Sequence, residues 1–154
     1  MQIESTVKAR HVMTPNPVCC VPTDTAQDVA ALLRDHDVGA LPVVKDHLSR
    51  KLMGIITDRD LCCAVVASGV EAKAILIRRL LSKNPVKCQL DDDLESCIAA
   101  MERYQVRRIP VVDDHGRCVG IISQADLALR AKPPAISRLV TEVSKMRVRR
   151  SAIA

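Results

Sequence analysis

The chain has 154 residues, room for one compact domain or for two small halves that share a core, and too few for a large enzyme joined to a regulator. Hydrophobic residues make up 48% and charged residues 27%, the balance of a chain that folds. The formal charge of +5 is scattered, and with one Tyr and no Trp or Phe the stacking platforms of single-strand binders are missing, which disfavours a nucleic-acid function.

Residues 1–10 form a lead segment, and the stretch from Met1 to Met13 carries charges and lacks an apolar signal core, which argues against export and for a cytoplasmic protein. In residues 11–69, Pro17 to Val21 reads as a short strand. Thr25, followed three residues later by Asp28, caps a helix over about 25–36 that sets Val29, Ala30 and Leu33 on one face. Leu41 to Val44 is a β-branched run opened by a Pro, best placed at a strand's first residues, and it forms a hairpin with Leu52 to Thr57. A second helix covers 59–68; its Leu61 to Ala67, seven residues, is the longest apolar run, far short of a membrane span.

After a linker, residues 70–78, the same order returns in 79–132. It brings a strand Pro85 to Leu90, a helix Asp93 to Tyr104 with Leu94, Cys97, Ile98 and Met101 as its buried stripe, a hairpin of Ile109–Val112 with Cys118–Ser123, and a helix over 125–131. The tail, 133–154, opens with Pro133-Pro134. It places Ile136, Leu139, Val140, Val143 and Met146 on one helical stripe before Arg147, Arg149 and Arg150, and is expected to pack on its own module or a twin.

The return is a duplication. Residues 11–48 match 79–116 at an offset of 68, with 12 identities in 38 positions. Asn16-Pro17-Val18 recurs as Asn84-Pro85-Val86, Cys20 as Cys88, Asp24 as Asp92, Pro42-Val43-Val44 as Pro110-Val111-Val112, and Asp46-His47 as Asp114-His115. Two residues drop out of a charged hairpin, and Gly54-Ile55-Ile56-Thr57-Asp58-Arg59-Asp60-Leu61 then aligns with Gly120-Ile121-Ile122-Ser123-Gln124-Ala125-Asp126-Leu127 at an offset of 66.

Seven cysteines stand as Cys19-Cys20, Cys62-Cys63, Cys88, Cys97 and Cys118, without any C-x-x-C spacing. They read as reduced thiols used as small apolar residues, so no metal site, no disulfide framework and no required cofactor are expected.

Three motifs in this order, Val12-Met13-Thr14-Pro15-Asn16-Pro17, Ala40-Leu41-Pro42-Val43-Val44 and Gly54 to Asp60, each with its second copy, resemble a pair of CBS domains, or Bateman module, of the stand-alone bacterial and archaeal type. The resemblance covers about Ala9 to Ala131. It implies an α/β (α+β) fold of tandem β-α-β-β-α repeats packed with pseudo-twofold symmetry, and a homodimer through exposed apolar helices, helped by Leu61, Val65 and Val66. It also implies a non-catalytic regulatory sensor that binds AMP, ADP or ATP, with S-adenosylmethionine or NAD as further candidates, in the clefts between the repeats.

By the same resemblance the ribose falls to Thr57 with Asp60 and to Ser123 with Asp126, the residues of a G-h-h-[ST]-x-x-D motif. A carboxylate there can accept both vicinal hydroxyls, while the hydroxyl and the helix amino terminus face phosphate. Adenine would lie in the cleft between the copies, against Val18 and Val86 of the first strands, Val38-Gly39-Ala40 or Val106-Arg107-Arg108, and Ile55 or Ile121. Arg107 and Arg108 replace Gly39 and Ala40, so the two sites differ, and the arginines are expected on phosphate.

Each assignment has a plainer counterpart. Asp60 and Asp126 can be helix caps, Thr57 and Ser123 strand-end residues bonding local backbone, and Arg107-Arg108 a solvated pair. His47 and His115 have no metal-ligand spacing, and Cys62-Cys63 fits helix burial better than redox chemistry. The chain has neither a nucleophile elbow nor a Gly-rich phosphate loop, so no enzyme activity is expected. Two other functions stay open: a regulatory subunit acting by protein contacts on a separately encoded enzyme or transporter, and a nucleic-acid-binding module.

Overall fold

The structure, a computed structural model, describes residues 7–81, 84–130 and 133–151, the stretch 146–151 through its backbone. In chain order the elements are α1 (Ala9–Val12), β1 (Thr14–Pro15), α2 (Ala26–Asp35), β2 (Ala40–Val44), β3 (Leu52–Thr57), α3 (Asp58–Ser68), 3-10 turns at Ala72–Ala74 and Ile77–Arg79, β4 (Cys88–Gln89), α4 (Leu94–Tyr104), β5 (Arg108–Val112), β6 (Cys118–Ser123), α5 (Gln124–Arg130) and α6 (Pro133–Ser151). The mixed α/β repeat order is the expected one. The chain packs as two compact units: residues 16–85 with the hairpin tip 115–118, and residues 86–114 and 119 onward with those up to Pro15.

In the 16–85 unit, α2 starts at a reciprocal cap in which Thr25 Oγ1 accepts from Asp28 N (3.1 Å) and Asp28 Oδ2 accepts from Thr25 N (3.0 Å). The helix buries Ala26, Val29 and Leu33. Ala30, expected on that face, is exposed, because it sits about 100° round the helix from Val29. The strand expected over Pro17 to Val21 contracts to one parallel bridge, Cys20 with Val43. Asn16 turns the chain through a left-handed φ of 48° just before it, and Val21 N is taken by Asp24 Oδ2 at 2.9 Å just after it.

The second repeat behaves alike. Asn84 has φ 56°, Gln89 N donates to Asp92 Oδ2 at 2.8 Å, and the strand expected over Pro85 to Leu90 keeps only Cys88–Gln89. The recurrence of Asn and Asp is thus a recurrence of turns.

β2 and β3 pair antiparallel, from Ala40 with Thr57 to Val44 with Leu52. Pro42 is the third residue of β2 and not its opening one. Its carbonyl accepts from Cys20 N (3.1 Å), so its missing N–H falls on the side where pairing is a single bridge and costs no ladder bond. The core of this unit gathers Cys20, Val29, Leu41, Ile56, Leu61 and Ile77. Leu61, expected on an exposed apolar face, is 5% exposed and Val65 packs against the same core, which leaves Val66 at the surface.

The other unit holds a four-stranded sheet in the order β1-β6-β5-β4, with β1 antiparallel to β6 and β4 parallel to β5. A Cβ on Gly120 would meet the Met13 side chain, which packs closely over this glycine and would have to shift to admit one. α4 buries Leu94, Cys97, Ile98 and Met101 as its spacing predicts. α6 lays Ala135, Leu139 and Val143 into the same core, and Arg138 pairs with Glu102 of α4 at 2.8 Å. Val140, counted on that stripe, is exposed, and the side chains of Met146, Arg147, Arg149 and Arg150 lie outside the described residues.

The segment ahead of each repeat packs in the unit of the other. Leu94 N bonds Val7 O (2.8 Å) and Ala9 N bonds Asp92 O (2.9 Å); 68 residues away, Ala26 N bonds Ile75 O (2.8 Å) and Ile77 N bonds Asp24 O (2.9 Å). Among the described residues no helix is long and apolar enough to cross a membrane.

Candidate functional site

The predicted ribose residues stand where a hairpin strand runs directly into a helix. Thr57 ends β3 and caps α3: its Oγ1 accepts from Asp60 N (3.2 Å), while its own N and Oγ1 both donate to Asp60 Oδ2 (2.9 and 2.7 Å). Ser123 and Asp126 repeat this at the β6–α5 junction, at 3.2, 2.8 and 2.7 Å. The expected pairs are therefore real pairs, and the capping role proposed for them is present in both.

That geometry narrows what the junction can bind. One carboxylate oxygen, Oδ2, is consumed by the cap, and Oδ1 of Asp60 and of Asp126 has no hydrogen-bond partner among the described residues. The hydroxyls of Thr57 and Ser123 are spent on the cap, so the expectation that they face phosphate does not hold as stated. The first amides of α3 are spent too: Asp58 N bonds Gly39 O (3.1 Å), Arg59 N bonds Asp58 Oδ1 (2.7 Å), and Asp60 N bonds Thr57. What remains is a carboxylate oxygen with its acceptor sites unused, suited to one or two hydroxyl donors.

The surrounding residues fall out by unit. Ala40, Ile55 and Thr57 lie on β2 and β3, where Ala40 pairs with Thr57 and Pro42 with Ile55, with Gly39 just before β2 and Asp60 in the first turn of α3. Gly39 and Ile55 are half-buried and Val38 is exposed, while Ala40 is buried and can offer a ligand only its backbone. Val18 is half-buried in the same unit, as Val86, Val106 and Ile121 are in the other. There Gln124 N bonds Arg107 O (3.1 Å), matching the Asp58–Gly39 bond. Neither the Arg107 nor the Arg108 guanidinium has an acidic partner among the described residues, and neutral Gln124 stands where the first junction has Asp58.

A cavity of about 590 Å³ opens elsewhere in the 16–85 unit, lined by Val18, Cys19, Asp24, Asp28, Ala31, Leu32, Asp35 and His47. It shares only Val18 with the predicted site, and its three carboxylates repel phosphate, so the junctions are the better candidates. Sequence reading did not find this cavity, because its acids are spaced over a loop and three helical turns with no motif among them.

Residues 9–67 and 77–132 each match the family model of the CBS domain. The chain belongs to the CBS-domain family. It is 31% identical over 135 residues to hypoxic response protein 1 of Mycobacterium tuberculosis, a match covering 88% of this chain and 92% of that CBS relative. Among solved structures it is similar to the CBS domain pair of protein MJ0100 in complex with 5'-methylthioadenosine and S-adenosyl-L-methionine, with TM-score 0.71 and 25% identity over 80% of this chain and 94% of that one. It is also similar to CBSX2 of Arabidopsis thaliana, solved in complex with AMP, with TM-score 0.68 and 26% identity over 80% and 95%.

Proposed function

We propose that this CBS pair is a non-catalytic sensor of adenine nucleotides or adenosyl cofactors, with the ribose held at the two strand–helix junctions. The observation that carries the reading is the Oδ1 of Asp60 and of Asp126, left without a hydrogen-bond partner among the described residues by the same box in both repeats, with Asp60 exposed and Asp126 half-buried. The AMP and S-adenosylmethionine complexes of the two structural neighbours support the ligand class. AMP, ADP or ATP is the expected ligand, with S-adenosylmethionine or NAD next.

Arg107 and Arg108 make the second junction the one that takes charged phosphate, and the first suits a less charged ligand. A bound ligand biases whatever conformational equilibrium the module has only by its differential affinity, so the readout lies in a partner such as a separately encoded enzyme or transporter. A homodimer through the α3 and α5 faces is supported by Val66 and Leu129, 75% and 84% exposed, and sedimentation of the purified chain checks it. All seven cysteines are unbridged, which fits a reducing cytoplasm, although Cys62 and Cys63 are exposed on α3 and not buried as expected.

The test is calorimetry of nucleotide-stripped protein with AMP, ADP, ATP, S-adenosylmethionine and NAD. Saturable binding of at least one, with a rise in melting temperature, is expected. Binding to none of them, or binding untouched by substitution at both Asp60 and Asp126, overturns the reading.

A further inference from the structure

In the unit that carries the second junction, the fold assembles three metal-ligating atoms outside the residues assigned above to the nucleotide. Cys88 lies on β4, Asp92 in the turn that follows, and Cys97 on α4, and one ligand atom from each falls within 4.8 Å of the others. We propose that Cys88, Asp92 and Cys97 form a binding site for a thiophilic divalent cation of the zinc class, with a fourth position left to water or an added ligand.

The distances suit the chemistry. Tetrahedral zinc, with bonds of about 2.3 Å to sulfur and about 2.0–2.2 Å to oxygen, needs donors about 3.5–3.8 Å apart, a closure that side-chain rotation supplies. The frame is fixed on all sides. Cys88 pairs with Val111 in the sheet, Asp92 Oδ2 is held by Gln89 N (2.8 Å), the Asp92 carbonyl accepts from Ala9 N (2.9 Å), and Cys97 N bonds Asp93 O (3.2 Å). Asp92 keeps its second carboxylate oxygen for the ion, and its hydrogen-bonded one supplies the orienting contact that metal-bound carboxylates need. Both thiols are buried and Asp92 is half-buried, so the entry lies on the Asp92 side. Two thiols lose their protons to solvent as the two metal–sulfur bonds form, so three anionic ligands meet one dication.

The first repeat is a built-in control. Cys20 and Asp24 occupy the places of Cys88 and Asp92, with Asp24 held by Val21 N in the same way, but Val29 stands where Cys97 does. The frame exists twice and the full ligand set once. Ligands at positions 88, 92 and 97 fit no familiar zinc spacing, which is why the sequence argued against a metal.

Cobalt(II) titrated into reduced, metal-stripped full-length protein reads the site directly. One equivalent should bind with tetrahedral d–d bands and thiolate-to-cobalt charge transfer, and zinc should displace it. Cys97→Val, which copies the first repeat, should abolish the charge transfer while circular dichroism stays unchanged. Asp92→Asn, which keeps the turn's hydrogen-bond acceptor, should weaken binding at least tenfold. Val29→Cys should raise the stoichiometry to two. A Cys62→Ser/Cys63→Ser double variant should bind as the parent does. No charge transfer in the parent, or charge transfer that survives both Cys97→Val and Asp92→Asn, overturns the site, whatever the nucleotide titrations show.

Discussion

The two repeats carry the same boxed junction in different surroundings. Thr57 with Asp60 and Ser123 with Asp126 agree in all three hydrogen bonds to within 0.1 Å. Elsewhere the aligned positions differ: Arg107-Arg108 stand in the places of Gly39-Ala40, Gln124 in that of Asp58, and Cys97 in that of Val29. What recurs is mostly scaffold: Asn16 and Asn84 supply left-handed turns, Asp24 and Asp92 tie off strands, and Asp60 and Asp126 cap helices. What differs is where chemistry has room to diverge, because a residue freed from the backbone's demands can answer to a ligand.

The largest difference is α6, which completes one unit and has no equivalent among the described residues of the other, where the chain leaves α3 through the left-handed Gly69. Leu139→Ala opens a cavity in a core where that side chain is fully buried, so it should cost about 2–5 kcal/mol. Urea denaturation measures it, and hydrogen exchange should show the 86–151 unit losing protection first. An unmoved midpoint would mean that α6 contributes nothing to the core.

Next in size is the junction itself. Asp126→Ala should weaken nucleotide binding by about tenfold to a hundredfold, the 1.5–3 kcal/mol of a hydrogen bond to a charged group, and Asp60→Ala should do the same for whichever ligand the first junction takes. Calorimetry of each variant with AMP decides whether the two sites are one class or two. Equal losses with the same ligand would remove the functional asymmetry.

How much of this could be read in advance depended on whether a residue's task was local. The β2–β3 and β5–β6 hairpins, the α4 stripe and the Thr25–Asp28 cap were legible because period and capping act within a few residues. The first strands were overdrawn, since nothing in Pro17-Val18-Cys19-Cys20-Val21 announces that Asp24 will take the Val21 amide. The junction pairs were legible as pairs, but not the commitment of their hydroxyls to the cap. The packing of Val7 and Ala9 against the second repeat, and the meeting of Cys88, Asp92 and Cys97, needed three dimensions, because neither leaves a period or a spacing behind.

Arg107 and Arg108 sharpen the comparison more gently. Replacing both by Ala should lower affinity for ATP about tenfold while leaving adenosine binding within about twofold, since an exposed cation on a phosphate is worth on the order of 1 kcal/mol. The loss should shrink as salt rises. Adenosine binding that falls as far as ATP binding would place the arginines in the fold and not on the phosphates.

The smallest effect comes from a third copy of the box that has no predicted ligand. Thr25 and Asp28 make the same three bonds as the junction pairs, and the hydrogen bonds from the Thr25 hydroxyl and amide hold the Asp28 carboxyl below its ordinary range. A carboxyl lowered by folding stabilises the folded state above its unfolded value, about 3.9, and loses that contribution as pH falls through the folded one. Asp28→Asn should therefore cost less than about 1 kcal/mol at neutral pH, because the group is exposed, and the gap to the parent should close in acid melts. Nucleotide affinity should not move. If it does, the binding site lies in the acidic cavity that Asp28 lines, and a capping box by itself, with no ligand above it, accounts for Asp60 and Asp126.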